Sequence, residues 1–356
     1  MRKMQDFIVK GKDIFIGLED SKRTWKISCR CEKMEIHYTS MPADYAVLRS
    51  YLQKNYVECR ITVIYEAGFK GFGLHDKLVE DGYSCIVTPP NKVTQEKVSR
   101  VKTDKIDCRR LATNLENSDF KKCHVPDKEI LSDRQISRTL IAIQKDLVRT
   151  RNRIRKFLDF HGIDKGFPAG AWGKADYDRL MKLELDGMLR ISLKVLTDLL
   201  THLLSAKKLL KQELLLLTKK ERYAAVYKIF NSAPGIGWFT AIRLVLEWGE
   251  DLSRFKTAKK FGSFAGLCAS EYSSGDTVLK GNITGQSNGS VRAWLIESAW
   301  TALKYDPVLL NKYNGILHRC GNKKKAIVAV ARKLAVRLWR CAMNKEPYCV
   351  GLLATD

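Results

Sequence analysis

Two long stretches in the middle of the chain repeat apolar residues at alternating steps of three and four, a period that admits few folds. Ile136, Leu140, Ile143, Leu147, Thr150, Ile154 and Phe157 form one seam. Leu189, Leu193, Leu196, Leu200, Leu203, Lys207, Leu210, Leu214 and Leu217 form the other. Such a repeat keeps one narrow stripe of a helix turned toward a partner helix. Gly162, Gly166, Pro168, Gly170 and Gly173 mark a loop between them. Two helices joined in this way predict an antiparallel coiled-coil arm, and two core helices of an ordinary bundle satisfy the same spacing equally well. Thr150 and Lys207 each interrupt a seam, a device that fixes register.

The preceding residues follow a different rule. Residues 24–31 alternate, with Trp25, Ile27, Cys29 and Cys31 on one face and Lys26, Ser28 and Arg30 on the other. Further strands are predicted at 13–20, 33–39, 59–65 and 83–88. Helices are predicted at 42–54 with Pro42 in the first turn, at 71–81, and at 103–117 with Thr103 as the cap. The order is βββαβαβα, an α/β domain. After the arm, helices are expected at 222–232, 238–248, 256–265, 289–304 and 323–342, with a polar loop at 270–288.

Charge narrows the partners. The chain carries 63 Lys and Arg against 39 Asp and Glu, a net charge of +24. A polyanion is implied, nucleic acid first and an anionic membrane surface second. Arg134 to Lys156 holds eight basic residues and a single acid, Asp146, and the arm around Arg149–Lys156 is the candidate for contact with an RNA or DNA backbone. A hydrophobic content of 45% excludes a disordered basic tail. No run of about 18 uncharged apolar residues exists, so no membrane-spanning helix is expected. Residues 1–6 lack a signal-peptide core, which points to a soluble cytoplasmic protein. The ten cysteines include no CxxC pair and read as reduced packing thiols, not as a zinc site.

Four acids stand out by position. Glu19 closes the first strand and Glu66 the fourth, while Asp104 and Asp107 share a helix face. Carboxylates gathered at one point repel unless a cation lies between them, and Mg2+ suits such hard oxygen donors. Each acid alone has a plainer reading, Glu66 as a surface strand end and Asp104 as a helix-start acid. Ala233-Pro234-Gly235-Ile236-Gly237 between two apolar helices reads as a helix-hairpin-helix able to hold a phosphate, or as a simple glycine-capped turn. Ser274, before Gly275, can act as a nucleophile on phosphorus, although most Ser-Gly pairs are turns.

These segments together resemble the DEDD-type transposases of the insertion-sequence 110 family, bridge-RNA-guided serine recombinases. The matching stretches are Ile16 to Lys22, Tyr65 to Gly68 and Lys102 to Asp107. The match continues from Ala233 to Gly237, then through Arg254-Phe255, Phe264 to Leu267 and Ser273-Ser274-Gly275 to Arg292. The resemblance implies a ribonuclease H-like (RuvC-like) domain over 1–125, a coiled-coil arm over 126–222, and a mostly α C-terminal transposase domain over 223–356. It implies Glu19, Glu66, Asp104 and Asp107 as Mg2+ ligands and Ser274 as nucleophile, with Ser273 as the fallback. It further implies donor and target DNA, a structured guide RNA, a tetramer whose active sites combine residues of different subunits, and action at a prokaryotic nucleoid. The family usually has Asp where this chain has Glu19. Either the site accommodates Glu, or the strand end twists to present Asp20, or metal binding is weakened. Two other functions fit the same residues: a metal-dependent nuclease or junction resolvase using water, and a catalytically weakened nucleic-acid-binding relic.

Overall fold

The computed structural model describes residues 9–90, 103–163, 166–168, 170, 172–274, 277–285 and 287–351. They fall into two compact units, Met1–Pro126 and Asp127–Asp356.

The first unit is a five-stranded sheet with helices on both faces. Strands β1 (Asp13–Asp20), β2 (Thr24–Cys31) and β3 (Met34–Pro42) run antiparallel in sequence, and β4 (Arg60–Glu66) and β5 (Ser84–Thr88) add on parallel to β1. The strand order is β3-β2-β1-β4-β5. The helices are α1 (Tyr45–Asn55), α2 (Gly73–Glu80) and α3 (Asp104–Glu116). Pro42 ends β3 and does not open α1. The helix starts at Tyr45 because the Asp44 carboxylate accepts from the Ala46 N–H.

Alternation sorts the two sheet faces. Ile14, Ile16, Leu18, Trp25, Ile27, Cys29 and Val63 pack with Leu48 and Leu52 of α1 and Leu78 of α2. On the opposite face Ile64, Phe15 and Ile86 meet Leu111 and Leu115 of α3. The polar side of β2 does not face open water. Lys26 pairs with Asp104 at 3.0 Å and Arg30 with Glu116 at 2.6 Å, and both acids belong to α3. Gly17 allows this helix to lie directly on β1: a Cβ there would stand 2.0 Å from the Cys108 carbonyl oxygen.

The second unit is mostly helical. Helix α4 (Lys128–Phe160) has 33 residues, a length of about 50 Å, and α6 (Gly187–Leu217) has 31. They pack along the two seams, with Leu140, Leu147 and Ile154 buried on one and Leu193, Leu200, Leu203 and Leu214 on the other. Arg151 of α4 feels the charge of Lys207 of α6, and Leu140 and Leu214 enter one core cluster, so the helices run in opposite directions. Between them lies α5 (Lys174–Met181), whose Leu180 closes a separate cluster with Phe167, Trp172, Leu158 and Leu193. At the other end Arg222 reaches Asp127, Glu129 and Glu250, and Lys220 reaches Asp133.

The remaining helices are α7 (Glu221–Asn231), α8 (Trp238–Trp248), α9 (Ala258–Phe264), α10 (Gly289–Ala302), α11 (Pro307–Cys320) and α12 (Lys323–Asn344). They surround a core that includes Phe230, Trp248, Phe261 and Leu334. The polar loop expected at 270–288 instead contains a hairpin, β6 (Ala269–Ser274) with β7 (Thr277–Ile283). Helix α11 was likewise not evident in the pattern. Pro307 opens it, and Asp306 caps it at Val308 and Leu309. Among the described residues no helix is long and apolar enough to cross a membrane. All ten cysteines are unpaired thiols.

Candidate active site

β1 and β4 are parallel neighbours, so their C-terminal ends lie side by side. Glu19 follows Gly17 by two residues and Glu66 follows Ile64 by two, which puts both carboxylates on the sheet face that α3 covers. Thr103 caps α3 by accepting from the Ile106 N–H, which sets Asp104 and Asp107 in its first turn. Asp104 then meets Lys26, the residue paired in register with Glu19. Glu19 lies near enough to Cys108, the neighbour of Asp107, for its charge to help raise that thiol. Burial is the larger cause and pushes Cys108 up to about 12.

The four acids therefore share one face and one end of the sheet, but cations intervene. Arg110 stands 2.7 Å from Asp107, which is 5% exposed, and 3.9 Å from Glu66. Among the described residues, no three His, Cys, Asp or Glu side chains form a group that could hold a metal ion. The donor chemistry suits a hard cation, because every candidate ligand is a carboxylate. The Nε of Arg110 and the Oγ1 of Thr88, which is paired with Glu66 in register, are buried without hydrogen-bond partners. As arranged, Lys26 and Arg110 supply positive charge at Asp104, Asp107 and Glu66.

Asp20 takes no part in this face. It accepts from the Trp25 indole N–H at 2.7 Å and pairs with Lys70 at 2.8 Å on the opposite side of the sheet. Two residues that sequence reasoning passed over, Lys26 and Arg110, pair with three of the acids, Asp104, Asp107 and Glu66. The signals were present: Arg110 is three residues after Asp107, and Lys26 sits on the polar face of β2.

In the second unit Ser274 ends β6, opposite Thr277. Gly275 and Asp276, and the side chains of Ser273 and Ser274, lie outside the described residues. A two-residue Gly-Asp link between β-forming segments was the hairpin signal. The base of the hairpin is tied to α10, where Arg292 donates to the Thr284 carbonyl at 2.9 Å and to Ser287. Gly266, at φ +73°, packs where a Cβ would strike Ser287. Arg254 donates to the Asp251 and Trp248 carbonyls and lies over the Phe255 ring.

Between α7 and α8, Gly235 adopts φ +80°, and a Cβ there would stand 2.2 Å from the Ser298 carbonyl oxygen. This glycine lets the turn rest on α10. Gly237 caps α8 without a side-chain bond and faces open space, which leaves the first N–H groups of α8 uncapped by a side chain.

Comparison with known proteins adds two matches in series. The model of a family described as transposase, of the DEDD type in insertion-sequence 110 elements, matches residues 19–163. The model described as the transposase IS116/IS110/IS902 family matches residues 227–314. Two Sinorhizobium fredii proteins named as inferred transposases are similar. The chain is 26% identical to y4qE over 77% of its own length and 66% of that protein, and 27% identical to y4rJ over 92% and 91%. It is 22% identical to the Leptospira borgpetersenii transposase for insertion sequence element IS1533, over 94% and 97%. The matched stretch thus spans just under two thirds of y4qE and nearly all of the other two.

Proposed function

Because the chain belongs to the IS116/IS110/IS902 family of transposases, a family of DNA-recombining enzymes, we propose that it cleaves and rejoins DNA through a phosphoserine link at Ser274, guided by a structured bridge RNA. One observation carries this reading. The two matched regions, 19–163 and 227–314, enclose Glu19, Glu66, Asp104, Asp107 and Ser274 in order.

In the proposed reaction the Ser274 oxygen attacks phosphorus and one P–O bond of the DNA breaks. The departing oxygen takes up a proton, and the serine proton passes to a base. Attack by a hydroxyl of another strand reverses these steps and restores a phosphodiester, so no water is consumed and no external energy is needed. Glu19, Glu66, Asp104 and Asp107 would hold Mg2+, which supplies charge stabilisation at the phosphate oxygens. Arg110 holds Asp107 and approaches Glu66, and Lys26 holds Asp104, so these two cations orient the carboxylates before DNA arrives. The strand order of the first unit supports reading it as a ribonuclease H-like domain. The α4–α6 pair supports a coiled-coil arm, and the α7–α8 turn a helix-hairpin-helix. Assembly as a tetramer belongs to the same proposal.

The test is a denaturing-gel assay for protein–DNA adducts with supercoiled substrate DNA and RNA co-purified with the protein. Wild type is expected to form adducts and Ser274→Ala none, with RNA binding intact in both. Persistent adducts in Ser274→Ala would move the nucleophile elsewhere. Cleaved DNA with free 5′-phosphates and no adduct would establish the water-using nuclease. An inert wild type restored by Glu19→Asp would establish the weakened relic.

A further inference from the structure

Lys207 occupies a position where the leucine seam of α6 calls for an apolar side chain, and its surroundings are hostile to a charge. It is partly buried, and its pKa is lowered first by that burial, then by the neighbouring charges of Lys211 and of Arg151 on α4. Lys207, Lys208 and Lys211 form no ion pair with a carboxylate among the described residues. The Nε of Arg151 is buried without a hydrogen-bond partner. Like charges this close destabilise the free protein unless something anionic offsets them.

These lysines line an open groove of about 390 Å³, and its far wall is Trp238, the first residue of α8. Trp238 packs edge-on against Phe239, and the Lys211 ammonium lies 5.1 Å from the centre of the Phe239 ring. Leu204 and Leu215 complete the wall, so the groove combines a row of cations with an apolar surface that ends in an aromatic ring. A small anion has no use for the indole, and an apolar peptide has none for three ammonium groups. A nucleic-acid strand uses both, because its phosphates meet the lysines while an unstacked base covers the ring.

We propose that the groove between α6 and the start of α8 holds a single-stranded nucleic-acid segment, with phosphates on Lys207, Lys208 and Lys211 and a base stacked on Trp238. The choice of nucleic acid as the polyanion rests on the transposase reading; the site rests on the geometry. A base pair inside a duplex keeps its faces covered, so a stacking site selects for single strands, in RNA or in DNA opened during strand exchange.

The test is fluorescence anisotropy with full-length protein and labelled oligo(dT), oligo(rU) and a mixed-sequence duplex across a salt series. Trp238→Ala is expected to weaken single-strand binding by about 5- to 150-fold, the range for loss of one stacked base. Lys208→Gln with Lys211→Gln should reduce the slope of log affinity against log salt by about 1.4, at about 0.7 for each single-strand phosphate contact. Lys207→Met should weaken binding and yet raise the melting temperature of the free protein, which a purely structural lysine would not do. Duplex affinity should be unchanged in all three. Stronger effects with oligo(rU) would identify the strand as RNA, and with oligo(dT) as DNA. Unchanged single-strand affinity in the variants, or equal losses for duplex, would overturn the site while leaving the transposase reading standing. Failure of wild type to bind any of the three probes would overturn both.

Discussion

Gly17→Ala tests the contact that sets two of the candidate acids against a third. The new Cβ would stand 2.0 Å from the Cys108 carbonyl oxygen and 2.4 Å from the Ala112 nitrogen. An unstrained contact needs about 3.5 Å, so helix and strand must separate by about 1.5 Å. Both obstacles are backbone atoms, and no side chain can rotate out of the way. Overpacking of this kind costs about 1–3 kcal/mol. The same shift moves Asp107, next to Cys108, away from Glu19, and a 1 Å misplacement at a reacting centre lowers rate by about 10²-fold. Urea unfolding followed by circular dichroism reads the first effect, and DNA cleavage under fully folded conditions reads the second. Gly73→Ala is the control, because a Cβ at that helix-start position meets nothing within 4 Å. It should be neutral or slightly stabilising. If Gly17→Ala unfolds within about 0.5 kcal/mol of wild type, the ordinary scatter of surface changes, then α3 does not bear on β1 as described.

Asp306→Ala removes a fully buried carboxylate that accepts from Arg337 at 2.7 Å and Tyr348 at 2.6 Å and also caps α11. The stranded arginine should cost about 3–5 kcal/mol in urea unfolding. Asp127 is held below the usual carboxylate range, chiefly by its hydrogen bond to Arg222. Its contribution is therefore fully present above about pH 4, the unfolded value, and is lost as pH falls through the folded one. Arg222→Met should be less stable than wild type at neutral pH and lose less stability on acidification, as measured by urea unfolding from pH 7 to pH 2. Burial pushes Cys85 and Cys108 up to about 12. Iodoacetamide at pH 8 should alkylate the exposed Cys320 and Cys349 in the native protein and reach Cys85 and Cys108 only after denaturation, as read by mass spectrometry.

Elements governed by local periodicity were legible. The alternation of Trp25, Ile27, Cys29 and Cys31 matches the buried face of β2. Every residue of the two leucine seams lies on α4 or α6 and none is fully exposed. Caps were legible where the chemistry is local, as with Thr103 before α3. The hairpin of β6 and β7 escaped because Ser, Gly, Asn and Thr score as loop formers, and only the cross-strand register, Tyr272 with Leu279 and Ser273 with Val278, makes them strands. Pro42 misled because a proline suits a first helical turn and a strand end equally.

By itself the sequence determined which side chains share a face, because face is a consequence of a repeat of two or of seven and nothing distant can alter it. It thereby put Glu19 and Asp20 on opposite sides of one strand and a lysine in the middle of an apolar seam. What those side chains meet was decided by tertiary structure alone. Arg110 between Asp107 and Glu66, Lys26 on Asp104, and Arg151 and Trp238 beside the lysines of α6 are neighbours brought together by packing. Coulomb and hydrogen-bond energies fall off over a few ångströms of space, whatever the separation along the chain. The sign of the field at each carboxylate and each lysine therefore emerged only when the helices came to rest against the sheet and against one another.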